Sequence, residues 1–167
     1  MSFSLLPTWT AEALPAVTPT QLKRKGIRLL MLDFDNTIVP YTTDVPTEEM
    51  VHWLDSMAQS GIRLCVVSNS RNERVQRFCR AYDLPCITRA GKPGTRGIRE
   101  CLEAYGVPRE NAALVGDQIY TDTLAANLAD VNAILVPAID NHNFWLKARH
   151  VLELPFIYAA KKRRLES

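Results

Sequence analysis

The 167-residue sequence predicts an α/β domain, a Rossmann-like parallel sheet of about five strands with helices on both faces, and two patterns predict it. Between Gly26 and Pro137 short apolar runs alternate with helical stretches, the order that a mostly parallel sheet requires. The first run, Arg28 to Asp33, is apolar without interruption up to the acid, as a strand covered on both faces must be. With 47% hydrophobic and 23% charged residues, a chain of this length has material for one core and one domain.

Residues 1–27 read as an appended segment, in which Thr18-x-x-Gln21 is a candidate capping box. After the first strand a helix begins at Thr47, whose hydroxyl can cap it, with Glu48 and Glu49 where the helix dipole favours negative charge. It stops at Gly61. Ile62 to Val67 is the second strand, and Asn72 to Tyr82 a helix with Val75, Phe78, Cys79 and Tyr82 on one face. Pro85 to Thr88 is the third strand, followed by a helix from about Gly94 to Tyr105, striped by Ile98, Cys101, Leu102 and Tyr105 and ended by Gly106. Ala112 to Gly116 is the fourth strand, Asp122 to Asp130 a short helix, and Ala133 to Val136 the fifth strand. The predicted core is thus 28–137, and 138–167 a helical, basic tail.

The net charge of +2 is unevenly spread: residues 20–28 carry +4, 142–167 carry +4 and 29–141 carry −5. Such a basic rim suits phosphates or anionic lipid heads, or is simply a solvated surface; no nucleic-acid partner is expected from it. Cys65, Cys79, Cys86 and Cys101 form no C-x-x-C pair and read as free thiols in a reducing compartment. Met1 to Pro19 lacks a basic start and is broken by Pro7, Pro15 and Pro19, so it does not read as a secretory signal. No apolar run approaches the roughly 18 residues of a membrane span. The expected location is the cytoplasm, with room for peripheral contact at an anionic membrane; composition says nothing of oligomeric state.

Ligands of an open parallel sheet bind at the carboxyl ends of its strands, and the polar constellations of this sequence all stand there. Strand one ends in Asp33-Phe34-Asp35-Asn36-Thr37, strand two in Ser68-Asn69-Ser70, strand three is followed by Lys92-Pro93, and strand four ends in Gly116-Asp117 with Asp122 five residues on. Taken singly, each is ordinary: Asp122 a helix cap, Ser68 with Asn69 a turn, Lys92 a surface lysine. Taken together they supply what phosphoryl transfer needs. Asp33 can attack phosphorus, and Asp35 can protonate the leaving oxygen and then deprotonate water. Ser68 with Asn69, Thr37 and Lys92 can bind the phosphoryl group, and Asp117 and Asp122 can complete a magnesium site of oxygen ligands.

The ordered set Asp33-x-Asp35-x-Thr37, Ser68, Lys92 and Gly116-Asp117-x-x-x-x-Asp122 resembles the four motifs of the haloacid dehalogenase (HAD) superfamily of aspartate-nucleophile phosphatases, over residues 28–136. The resemblance implies Asp33 as nucleophile and metal ligand, and Asp35 as acid/base whose carbonyl also binds Mg2+. It implies Thr37 as a supporting hydroxyl, Ser68 and Lys92 as phosphate ligands, and Asp117 as a metal ligand with Asp122 in or beside the metal shell. The phrases LLPTW, Thr18-Pro19, LDFDNTIVP, VVSNS, KPGTRGIRE and VGDQIYTD are similar to the small YqeG-type members of HAD subclass IIIA, relatives of phosphatidylglycerophosphate phosphatases.

Thirty residues separate Thr37 from Ser68 and 23 separate Ser68 from Lys92, which leaves space for a flap, a helix and a strand but for no cap domain. A capless cleft suits a large or surface-bound substrate. The loop Ile38 to Pro46, carrying Tyr41, is the candidate flap. The tail joins Phe144-Trp145 and Leu152 to Tyr158 with Lys161 to Arg164, a composition that suits either an interfacial anchor or a last helix packed on the sheet. The expected substrate is a lipid phosphate, phosphatidylglycerophosphate first; a nucleotide, sugar or protein phosphate is the alternative. A phospho-acceptor module is the rival of another class, but it needs a lone Asp at the end of a middle strand, whereas Ser68 ends strand two and no Asp ends strand two or three; a non-catalytic scaffold would not need all the acids.

Overall fold

The computed structural model describes residues 4–71 and 73–140. Its strands are β1 (Trp9–Thr10), β2 (Leu29–Leu32), β3 (Arg63–Val67), β4 (Cys86–Ile87), β5 (Ala112–Gly116) and β6 (Asn132–Leu135). They form one sheet in the order β1-β6-β5-β2-β3-β4, and every neighbouring pair is parallel. The helices are α1 (Pro19–Arg24), α2 (Glu48–Ser60), α3 (Glu73–Ala81), α4 (Arg96–Tyr105) and α5 (Leu124–Leu128).

All four residues of β2 are buried, which is why that stretch carries no polar residue. Side chains alternate across a strand, so Leu30 and Leu32 join Trp53, Met57, Val75 and Phe78 on one face. Leu29 and Met31 join Ile98, Cys101, Ala125 and Ala126 on the other. The helix ends follow their local chemistry. Thr47 accepts a hydrogen bond from the amide of Met50 at 3.2 Å, and Gly61 closes α2 at φ 80°, a conformation that a side chain would strain. The Thr18–Gln21 capping box forms as read.

Two features depart from the sequence reading. The sheet has six strands rather than about five, because Trp9–Thr10 pairs with β6, flanked by bonds from Thr8 N to Ala133 O (2.8 Å) and Ala11 N to Leu135 O (3.0 Å). A two-residue strand shows no alternation, so periodicity cannot reveal it. The helix expected from Asp122 instead opens as a π-type turn over Ile119–Thr123, and α5 proper starts at Leu124. Such turns carry one residue more per turn and concentrate at functional sites.

The cysteines are free thiols, Cys65, Cys79 and Cys101 buried and Cys86 partly so. Thr37 and Ser68 are joined by a loop, α2 and β3, and Ser68 and Lys92 by α3 and β4; among the described residues there is no separate cap. Tyr41 and Val45 of the loop are exposed, whereas Ile38 and Val39 are core residues, so the exposed part of the predicted flap begins only after Pro40. No helix among the described residues is long and apolar enough to cross a membrane. The predicted tail lies outside the described residues beyond Asp140.

Candidate active site

The strand register brings the motifs to one edge. Leu32 lies opposite both Val66 and Val115, so Asp33 leaves the sheet at the same edge as Ser68 and Asp117, which stand one residue further along their strands. Asp33 N donates to Val115 O at 2.9 Å and holds the nucleophile candidate to the central strand pair. The chain then turns. Asn36 takes a left-handed φ of 61°, and the amide of Ile38 returns to Phe34 O at 3.0 Å. Thr37 thereby comes back over Asp33, and its hydroxyl donates to Asp33 Oδ2 at 3.4 Å.

Lys92 is buried, and its Nζ lies 2.6 Å from both Asp33 Oδ1 and Asp122 Oδ1. Burial opposes its charge, but Asp122 and Asp33 outweigh that and raise its pKa. Its backbone is bracketed by Asn69, whose Nδ2 donates to Lys92 O and whose Oδ1 accepts from Lys92 N, both at 2.7 Å. Asn69, expected beside the phosphate, here uses both atoms of its amide on the Lys92 backbone. Ser68 is buried, and its Oγ accepts from the amide of Ser70 at 3.1 Å, which leaves its proton for a further acceptor.

The π-type turn folds Asp122 back toward β5. Its Oδ2 accepts from Gln118 N at 3.1 Å while its Oδ1 meets Lys92, so both oxygens are fixed. Asp33, Asp117 and Asp122 each offer one carboxylate oxygen within 4.8 Å of the others. Asp117 Oδ1 is buried without a hydrogen-bond partner among the described residues. Burial, Asp122 and Asp33 push the Asp117 carboxyl up to about 8; burial and Asp33, against the pull of Lys92, push Asp122 up to about 6. Lys92 offsets only one of three crowded carboxylates. An unsatisfied hard oxygen beside surplus negative charge fits a divalent cation with oxygen ligands.

Asp35 is half-buried and ion-paired with Arg74, a residue that the sequence reading did not single out. Burial raises the Asp35 pKa, Arg74 opposing and Asp33 reinforcing the shift. Arg71, Arg77 and Arg80 stand close by in the sequence, and nothing in the spacing alone sets Arg74 apart from them. The available signal was its place in the first turn of α3, where the helix dipole disfavours a cation without an acidic partner.

The doubly wound parallel sheet, with crowded acids and a buried lysine at its carboxyl edge, defines a phosphatase-type hydrolase site. The family model for haloacid dehalogenase-like hydrolases matches residues 21–130, and the chain belongs to that family. Its class is accordingly that of a HAD phosphatase. It is 28% identical over 148 residues to "Probable phosphatase YqeG" of Bacillus subtilis, an alignment that covers 88% of this chain and 86% of the relative. Among solved structures, the cobalt-bound deoxy-D-mannose-octulosonate 8-phosphate phosphatase of Haemophilus influenzae matches with a TM-score of 0.55 at 13% identity, covering 78% of this chain and 90% of that one. An uncharacterized protein of Listeria monocytogenes serotype 4b matches with a TM-score of 0.55 at 16% identity, covering 79% and 99%. At such identities the structural likeness speaks for the fold alone.

Proposed function

We propose that the protein is a magnesium-dependent phosphate monoester hydrolase that works through a phospho-aspartate on Asp33, with phosphatidylglycerophosphate as its first candidate substrate. The observation that carries this reading is the meeting of Asp33, Asp117 and Asp122 within 4.8 Å, with the Lys92 ammonium 2.6 Å from two of them.

Asp33 attacks phosphorus as a carboxylate, and the bond to the ester oxygen breaks as Asp35 delivers its proton to that oxygen. Asp35 then takes a proton from water, whose oxygen attacks the acyl phosphate; the phosphorus–Asp33 bond breaks, and inorganic phosphate leaves with both aspartates restored. Ser68 and Lys92 bind phosphoryl oxygens, Thr37 steadies Asp33, and Asn69 keeps Lys92 in place. Asp33, Asp117, Asp122 and the Asp35 carbonyl would hold Mg2+, which when bound supplies positive charge to the transferring group.

Three observations support a lipid phosphate: the subclass IIIA resemblance, the absence of a cap among the described residues, and exposed Tyr41 and Val45 in the loop beside the site. The cytoplasmic location and peripheral contact with an anionic membrane belong to the same reading. Hydrolysis of phosphatidylglycerophosphate in mixed micelles, compared with soluble nucleotide, sugar and peptide phosphates under magnesium, tests it. Preference for the micellar ester is expected. Preference for a soluble ester would discard the lipid and keep the hydrolase, and a single stoichiometric phosphorylation without turnover would make the protein a phospho-acceptor instead.

A further inference from the structure

Arg74 binds two things at once. Its Nη1 donates to the carbonyls of Pro40 (3.2 Å), Tyr41 (2.9 Å) and Thr43 (2.8 Å), while its Nη2 pairs with Asp35 Oδ1. The guanidinium lies 5.1 Å from the centroid of the Phe34 ring, which itself packs edge-on against Phe78 at 5.2 Å. Its own helix α3 belongs to the fold core, since Val75, Phe78 and Cys79 are buried. A helix anchored in the core therefore holds a planar cation whose nitrogens reach the loop and the carboxylate and which sits over an aromatic ring.

We propose that Arg74 is a positioning residue for proton transfer: it fastens the Asp35 carboxylate and the Pro40–Thr43 backbone into one unit, so that the loop and the acid/base are aimed together. The proposal rests on the reading of Asp35 as the acid/base. Contact through Oδ1 lets Asp35 carry its proton on Oδ2 while Oδ1 still accepts the hydrogen bond from Arg74. The three carbonyl bonds keep the guanidinium from following Asp35 when the carboxyl changes charge. Lysine offers a point charge without the fork or the stacking face, so it cannot make all these contacts.

The test compares kcat/KM of the full-length protein under magnesium on an alkyl phosphate, whose leaving oxygen needs a proton, and on dinitrophenyl phosphate, whose leaving group departs as an anion. This ratio reports only the steps through leaving-group departure, before Asp35 acts as a base. Arg74→Met should lower kcat/KM about 10- to 100-fold on the alkyl ester, the scale of misplaced general-acid catalysis, and by less than about threefold on the dinitrophenyl ester. Arg74→Lys, which keeps the charge and serves where the methionine variant does not fold, should show the same selectivity. Asp35→Asn should also be selective, and the double variant should lose no more than Asp35→Asn alone.

Equal losses on both esters in the Arg74 variants, with Asp35→Asn still selective, would overturn the proposal and leave the acid/base reading standing. Additive losses in the double variant would overturn it likewise. If Asp35→Asn itself lost both esters equally, the acid/base reading would fall and the proposal with it.

Discussion

Gly116 and Asp122 are packed so closely that a methyl group on the glycine would lie 2.4 Å from Oδ2 and Cγ of the aspartate. Real Cβ atoms do not approach that near, and Asp122 cannot step aside, because Gln118 N and Lys92 Nζ hold its two oxygens. Gly116→Ala should therefore displace a proposed metal and lysine partner while leaving the sheet paired. Magnesium titration of activity should show at least about a tenfold rise in the half-saturating concentration. An unchanged titration would mean that Asp122 does not act on the metal.

Asp33→Asn should lower kcat by more than about a thousandfold, since an amide cannot attack phosphorus. Folding should survive, because Asp33 N still pairs with Val115 O. Rapid-quench detection of a labelled acyl phosphate in the wild type, and its absence in the variant, checks the assignment. Residual turnover above a thousandth of the wild type would place the nucleophile elsewhere.

Chelator should abolish activity and magnesium restore it, whereas calcium, which takes more ligands in looser geometry, should inhibit. The metal-free protein should also lose stability as pH rises from about 4 to about 8. Unfolded Asp117 titrates near 3.8, and burial beside Asp122 and Asp33 moves the folded group up to about 8. In that window the folded state holds a proton that the unfolded state has released, so raising pH favours unfolding. Asp122, pushed up to about 6, adds in the same direction at the lower end of the window. Thermal midpoints in chelator should fall between pH 5.5 and pH 8, and magnesium should raise the midpoint more at pH 8. A chelated midpoint that climbs over this range would contradict the burial of the acids.

Removal of residues 155–167 tests the lipid proposal. Each basic residue near an anionic surface contributes about 1 kcal/mol of attraction, screened by salt. The truncated protein should lose activity on anionic vesicles and much of its salt dependence there, with little change on a small soluble ester. Equal losses on both substrates would make the tail part of the folded core.

The elements that could be read in the sequence are those whose chemistry is local. Ala112–Gly116 was legible to the residue because an apolar run ends in Gly-Asp, and α2 because Thr47 and Gly61 mark both its ends. The acids and Lys92 were legible as a set because a parallel sheet sends successive strand ends to one edge. The rest depends on distant partners. Trp9–Thr10 is a strand only because β6 receives it, Asn69 secures Lys92 across 23 positions, and Arg74 finds Asp35 across 39. The turn at Ile119–Thr123 takes its wide form in a sequence that reads equally well as an ordinary helix start.

Among the described residues, the two outermost strands of the sheet, β1 and β4, are each only two residues long. An outer strand presents unpaired amides and carbonyls to any passing chain, and its length sets how many bonds an intruder can form. Here the four- and five-residue strands all lie inside, shielded by neighbours too short to serve as templates. Among the described residues the margins of the sheet thus offer little template for edge pairing, and at one margin the shield is the Trp9–Thr10 segment. A fusion or trimming that strips it would uncover β6, whose Ala133, Ile134 and Leu135 are buried in the intact fold, and would turn a self-limiting sheet into one that recruits its own kind.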